Sequence, residues 1–153
     1  MMRPLFLTAF LFALLALGCK PPYTMEGPRS FKRFHDTRDF KMITADGVML
    51  RAREVDNYPE AALDFWTDAM KRHLVARGYA HKSTHCFKTR SRREACTLDF
   101  LLPHGVEDWA FSETIYVVED TIVLVEVAGP YDRYAKVEKE LSAALETFEP
   151  NLD

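Results

Sequence analysis

The segment Thr121-Ile122-Val123-Leu124-Val125-Glu126-Val127 leaves the chain little choice of architecture. Side chains of a strand point alternately to opposite faces, and here nearly every position on both faces is apolar, so both faces have to be covered. Two segments with helical periodicity can supply the covers. One runs from about Tyr58 to Arg77, with Leu63, Trp66, Met70 and Leu74 in one stripe and Lys71 and Arg72 off it. Asn57 and Glu60 form a capping pair, Pro59 suits a first turn where its missing N–H costs nothing, and Gly78 ends the helix. The other helix runs from about Pro130 to Phe148, with Tyr134, Val137, Leu141, Leu145 and Phe148 in its stripe.

Further strands surround this segment. Phe40 to Thr44 and Val48 to Val55 flank the turn Ala45-Asp46-Gly47, and Asp-Gly between apolar runs is a hairpin signal because glycine adopts positive φ without steric penalty. His81 to Lys88, Ala95 to Leu102 and Ala110 to Val118 follow the first helix, and Glu119-Asp120 is a tight turn joining the last of these to Thr121 to Ala128. The expected fold is α+β, a six-stranded, mainly antiparallel sheet with one helix on each face, in the order β-β-α-β-β-β-β-α.

The N-terminus addresses location. Arg3 is followed by an uncharged apolar run from Pro4 to Leu17, then by Gly18 and Cys19. The run is shorter than the about 20 apolar residues a transmembrane helix needs, so it reads as an export signal rather than a permanent span. Leu15-Ala16-Leu17-Gly18-Cys19 resembles the bacterial lipobox, in which a small residue precedes a cysteine that becomes the lipidated N-terminus. It departs from that pattern in having Ala16 three places before the cysteine, where a large aliphatic residue is usual. The alternative is an ordinary cleaved signal or an uncleaved anchor. Lys20 follows the cysteine, and by resemblance to lipoprotein sorting in Gram-negative cells the absence of Asp there implies the outer membrane, facing the periplasm.

These signals divide the chain into a signal peptide over 1–18, a flexible tether over 19–39, a single α+β domain over 40–149 and a tail over 150–153. Pro21, Pro22, Gly27 and Pro28 support the tether, whose span would be roughly 25 Å as a random coil. Phe31, Lys32, Arg33 and Phe34 interrupt it, either as a membrane contact or, more simply, as a first strand or as a segment packed on the domain.

The order of a starting hairpin at Asp46-Gly47, a helix, a meander and a closing helix from Tyr134 to Phe148 resembles the PsbP-like α/β/α sandwich over residues of about 40 to 149. As a whole the chain resembles small bacterial envelope lipoproteins. The resemblance implies docking onto larger assemblies rather than catalysis, and it carries no site residues over.

Side chains that could do chemistry are few. With Cys19 lipidated, Cys86 and Cys96 remain, ten apart on strands flanking the turn at Thr89 to Arg93, and an oxidising envelope compartment favours their pairing. The alternative is two free thiols. His81, His85 and Cys86 are zinc-type ligands, but residues along one strand point to alternating faces and a disulfide would remove the thiolate, so no metal is expected. No serine elbow, His-Glu-x-x-His, phosphate-cradling glycine loop or Cys-x-x-Cys is present, and neither an enzyme nor a cofactor is expected. The acidic pairs Glu107-Asp108 and Glu119-Asp120 fall in expected turns and His73 among helical basic residues, where solvation explains them. Asp99, between Leu98 and Phe100, would need a partner if buried, although a sheet edge is the commoner explanation.

The strongest charge feature is the basic hairpin of Lys82, Lys88, Arg90, Arg92 and Arg93 against Glu94, a candidate surface for an anionic partner, or else a solubilising turn. The whole chain is nearly balanced, with 20 Lys and Arg against 23 Asp and Glu, which argues against nucleic acid. The function expected is a non-enzymatic envelope lipoprotein that docks on a protein or envelope partner. The alternative is a ligand-binding or enzymatic domain using a helix–sheet cleft near His104, Trp109 and Asp99.

Overall fold

The computed structural model describes residues 22–35 and 39–152. Cys19 and the expected signal peptide lie outside the described residues. Elements in chain order are β1 (Tyr23–Thr24), β2 (Phe31–Arg33), β3 (Phe40–Thr44), β4 (Met49–Asp56), α1 (Leu63–Ala76), β5 (Ala80–Lys88), β6 (Glu94–His104), β7 (Glu107–Val118), β8 (Thr121–Pro130), α2 (Tyr131–Leu145) and β9 (Glu149–Pro150). Among the described residues the main sheet has seven strands, not six, in the order β2-β3-β4-β8-β7-β6-β5, every neighbouring pair antiparallel. The extra strand is β2, formed where Phe31 buries its ring and pairs opposite Thr44.

The doubly apolar strand β8 stands at the centre of that sheet. Val123, Val125 and Val127 pack with Tyr134, Val137 and Leu141 of α2. Ile122 and Leu124 point the other way and pack with Leu74 and its neighbours on α1. One helix therefore lies on each side, as β8 requires. Gly129 is fixed by this crowding, because a Cβ there would come within 2.9 Å of the buried Val48 side chain.

Residues 22–35, read as tether, are packed on the domain. β1 pairs with β9 in a separate two-stranded sheet, which also takes up part of the expected tail. Tyr23 stacks on Phe148 at 5.7 Å, and Phe148, wholly buried, also meets Phe40 and Tyr116. Such two-residue pairings between chain ends leave no periodic trace in the sequence.

The first helix starts later than its periodicity predicts. Residues 57–62 are non-helical, the Tyr58–Pro59 peptide is cis, and Asn57 does different work from a helix cap. Its carboxamide oxygen accepts from Ala61 N at 3.0 Å and Trp66 Nε1 at 2.7 Å, while its amide donates to the Glu119 carbonyl at 2.9 Å. Asn57 thus ties the helix approach to the β7–β8 turn. Gly78 closes α1 as expected: at φ +94° it lets Tyr79 N donate to the Leu74 carbonyl and its own N–H to that of Val75, a Schellman ending.

Candidate functional site

α1 covers β5, β6 and β7, and leaves the β3–β4 side of the same face without a helix. Across that open half runs a cross-strand row of charges, Lys41 opposite Arg51, Arg51 opposite Glu126, and Glu126 opposite Glu113. Met49, half exposed, belongs to the same face one step along β4. Two carboxylates set directly opposite each other repel, and a pair this deeply buried requires cations nearby. Arg51 and Arg53 provide them. The Arg51 Nε donates to Glu126 Oε2, the Arg53 Nε to Glu126 Oε1 at 2.8 Å, and Arg53 Nη2 lies 3.6 Å from Glu113 Oε1.

The two acids fare differently. Glu126 receives both guanidinium groups, whereas Glu113 has only the long contact to Arg53, and its Oε1 is buried with no hydrogen-bond partner. Burial raises the Glu113 carboxyl from 4.5 to about 7; repulsion by Glu126 adds to this, and Arg53 and Arg51 oppose it. Both arginines stay reachable from solvent, with side-chain exposures of 57% and 39%. Beside them a hollow of about 330 Å³, lined among others by Tyr23, Asp39 and Glu54, opens to solvent.

This cluster was not singled out from the sequence, although half of it could have been. The two-residue turn at Glu119-Asp120 sets Val118 opposite Thr121, and counting back along the strands puts Glu113 opposite Glu126. The arginines pair with Glu126 across β4 and β8, about seventy residues apart, and no local signal announces that pairing.

The residues that were singled out are scattered. Cys86 and Cys96 stand directly opposite on β5 and β6 and form a disulfide, with Cα atoms 4.0 Å apart rather than the roughly 5.5 Å expected. That separation is nearer the close, non-hydrogen-bonded kind of antiparallel pair. Replacing both cysteines by serine is expected to lower the unfolding free energy by about 2.5–3 kcal/mol on the loop-entropy account, with the fold kept. Calorimetry of wild type with and without reductant, beside the double variant, checks this.

His81 and His85 lie on opposite faces, because an irregularity between His81 and Ser83 shifts the register of β5. His81 meets Phe100 on the α1 side, while His85 stacks on Phe87. Among the described residues no group of three His, Cys, Asp or Glu is placed to hold a metal. Asp99 accepts from Ser83 Oγ at 2.7 Å on the other side of the sheet. His104 and Trp109 meet edge-on at the β6–β7 tip, ring centroids 5.3 Å apart. The alternative site expected near these three residues is therefore not assembled.

The basic hairpin separates into two parts. Lys82 lies at the far end of β5, with its ammonium 4.9 Å from the Tyr131 ring centre. The other four basic residues stay at the Thr89–Arg93 turn, which Thr89 organises by accepting from Arg93 N and Arg92 N and donating its own N–H to the Arg93 carbonyl. There Lys88 pairs with Glu94 at 3.3 Å and Arg90 with Glu26 at 2.5 Å, Arg93 is half buried, and Arg92 is exposed at φ +69°.

No family model and no curated protein matches this chain. Solved structures do. LpqN of Mycobacterium tuberculosis, described as involved in cell envelope biogenesis, superposes with a TM-score of 0.62 at 9% identity, over 82% of this chain and 81% of its own. A Pseudomonas aeruginosa protein of unknown function gives 0.59 at 12%, over 80% and 97%. The cyanobacterial PsbP of Synechocystis gives 0.53 at 12%, over 85% and 87%. The fold is PsbP-like, as the order of elements implied.

Proposed function

We propose that this chain is an envelope lipoprotein, held by lipid on Cys19 to the outer membrane on its periplasmic side, whose domain docks without catalysis on a protein partner. The observation that carries the docking reading is the arginine pair on the open half of the sheet. Arg is a common anchor of interfaces, but ordering its long side chain ordinarily costs affinity. Here Glu126 holds both guanidinium groups in place before any partner arrives, beside the half-exposed Met49. A partner presenting carboxylates or backbone carbonyls would meet preordered donors in a planar fork. A relative in fold described as involved in envelope biogenesis supports the setting.

The test keeps the charge and removes the fork. Arg51→Lys with Arg53→Lys retains cations over Glu126 and Glu113, so the fold should persist by circular dichroism. Pull-down from detergent-solubilised envelope is expected to recover a discrete partner with the wild-type chain and at least tenfold less with the double variant. Equal recovery would sink the assignment of the site.

A second reading rests on the cleft of about 760 Å³ between α1 and the β5–β6 hairpin, lined among others by Leu63, Asp64, Lys71 and the disulfide. Its volume lies within the roughly 300–1,000 Å³ of small-molecule sites. The lysine variants separate the two readings, since they leave this cleft untouched.

A further inference from the structure

We infer that the domain sits directly on the bilayer surface, with the Thr89–Arg93 turn against phospholipid headgroups. This rests on the lipid at Cys19 proposed above and adds to it an orientation and a contact. The reach of the anchor decides the matter. Three residues, Lys20, Pro21 and Pro22, separate Cys19 from Tyr23. Tyr23 is part of the folded body: it pairs with Pro150, stacks on Phe148 and bonds to Glu54, while Asn151 N donates to the Pro22 carbonyl at 2.8 Å. Four Cα steps span at most about 14 Å even fully extended, against the roughly 25 Å of a free tether.

What lies beside that attachment point is the basic turn. Arg90 pairs with Glu26, three residues beyond Tyr23, and its backbone N–H donates to the Glu146 carbonyl at 2.9 Å. Glu26 N in turn donates to Thr147 Oγ1 at 2.9 Å, so the anchor segment, the end of α2 and the turn form one edge of the molecule. Glu26 and Glu94 neutralise Arg90 and Lys88, which leaves Arg92 as the exposed cation of the turn outside these two ion pairs. The Glu119-Asp120 turn ends the sheet at the same pole and is repelled by phosphate, so the body leans toward the β5–β6 side. The β6–β7 tip with the fully exposed Val106 is at the other end of β6, about 33 Å away by strand rise, and faces the aqueous space.

The test uses the full lipidated chain in vesicles of phosphatidylethanolamine and phosphatidylglycerol at three to one. With the native disulfide intact, Ser91→Cys and Val106→Cys each accept one fluorophore. A nitroxide carried on the lipid headgroup is expected to quench the label at 91 at least fivefold more than the label at 106. Arg92→Glu in the Ser91→Cys background should cut that difference by half or more. Flotation is read on the same samples, with Cys19→Ser as control. Wild type that floats with equal quenching at both positions overturns the orientation alone. Wild type that floats no better than Cys19→Ser overturns the lipid anchor and the orientation with it.

Discussion

Glu113→Gln is expected to stabilise the domain by about 3 kcal/mol at pH 8 and to change nothing at pH 4. Unfolded, a glutamate ionises near 4.5, while in the fold this one holds its proton to about 7. Below 4.5 both states are protonated and the buried group costs little. Between 4.5 and about 7 the unfolded state loses its proton first, so stability falls as pH rises, and above 7 the cost is constant. At about 1.4 kcal/mol per pH unit the interval amounts to about 3 kcal/mol. Glutamine has the same shape and no charge, and its amide removes the repulsion with Glu126. Urea titrations of both proteins from pH 4 to 8 should give curves that coincide at the acid end and diverge toward neutrality. Parallel curves would show that Glu113 does not titrate in this interval.

Phe148→Ala should be the most damaging single truncation, at about 3–5 kcal/mol, the range for a buried phenylalanine. Its ring is wholly buried and touches Tyr23, Phe40 and Tyr116, with centroids 4.9 to 6.0 Å away. The side chain thus joins β1, the main sheet and the end of α2 at one point. The loss should be uneven, with β1 and β9 opening before the sheet does, since each has two residues and they pair with each other outside the main sheet. Hydrogen exchange is the measurement: amides of residues 23–26 and 149–151 should lose protection at least tenfold more than those of β7 and β8. Uniform loss would mean that the clasp and the sheet are one cooperative unit.

What the sequence disclosed follows the range of the contacts. The two tight hairpins, the apolar stripes of both helices and the disulfide register depend on residues close along the chain, and all were legible. β2 was legible only in part: a first strand was the simpler reading of Phe31 to Phe34, but only Phe31 of its three residues is buried, too little for an alternating pattern that would have added it to the sheet. The late start of α1 was hidden because Asn57 spends its side chain on a tertiary bond to the Glu119 carbonyl. The arginine pair was hidden for a similar reason, as its partner lies on β8. A lone glutamate within Ile122-to-Val127 was nonetheless visible, and a charge in so apolar a run asks for a counter-ion.

The register irregularity between His81 and Ser83 bears on how such molecules behave when crowded together in two dimensions. β5 and β2 are the two rims of the main sheet, and an unpaired rim invites edge-to-edge polymerisation. β2 offers three residues, two of them basic. β5 offers nine, but the irregularity confines its regular stretch to Ser83–Lys88, with Lys88 at one end and Lys82, just before the other, turned over Tyr131. A second copy sliding alongside would meet a broken ladder and like charge. Chains anchored as proposed, at high surface density on one membrane, would therefore remain separate from one another, with the open sheet face of each left accessible.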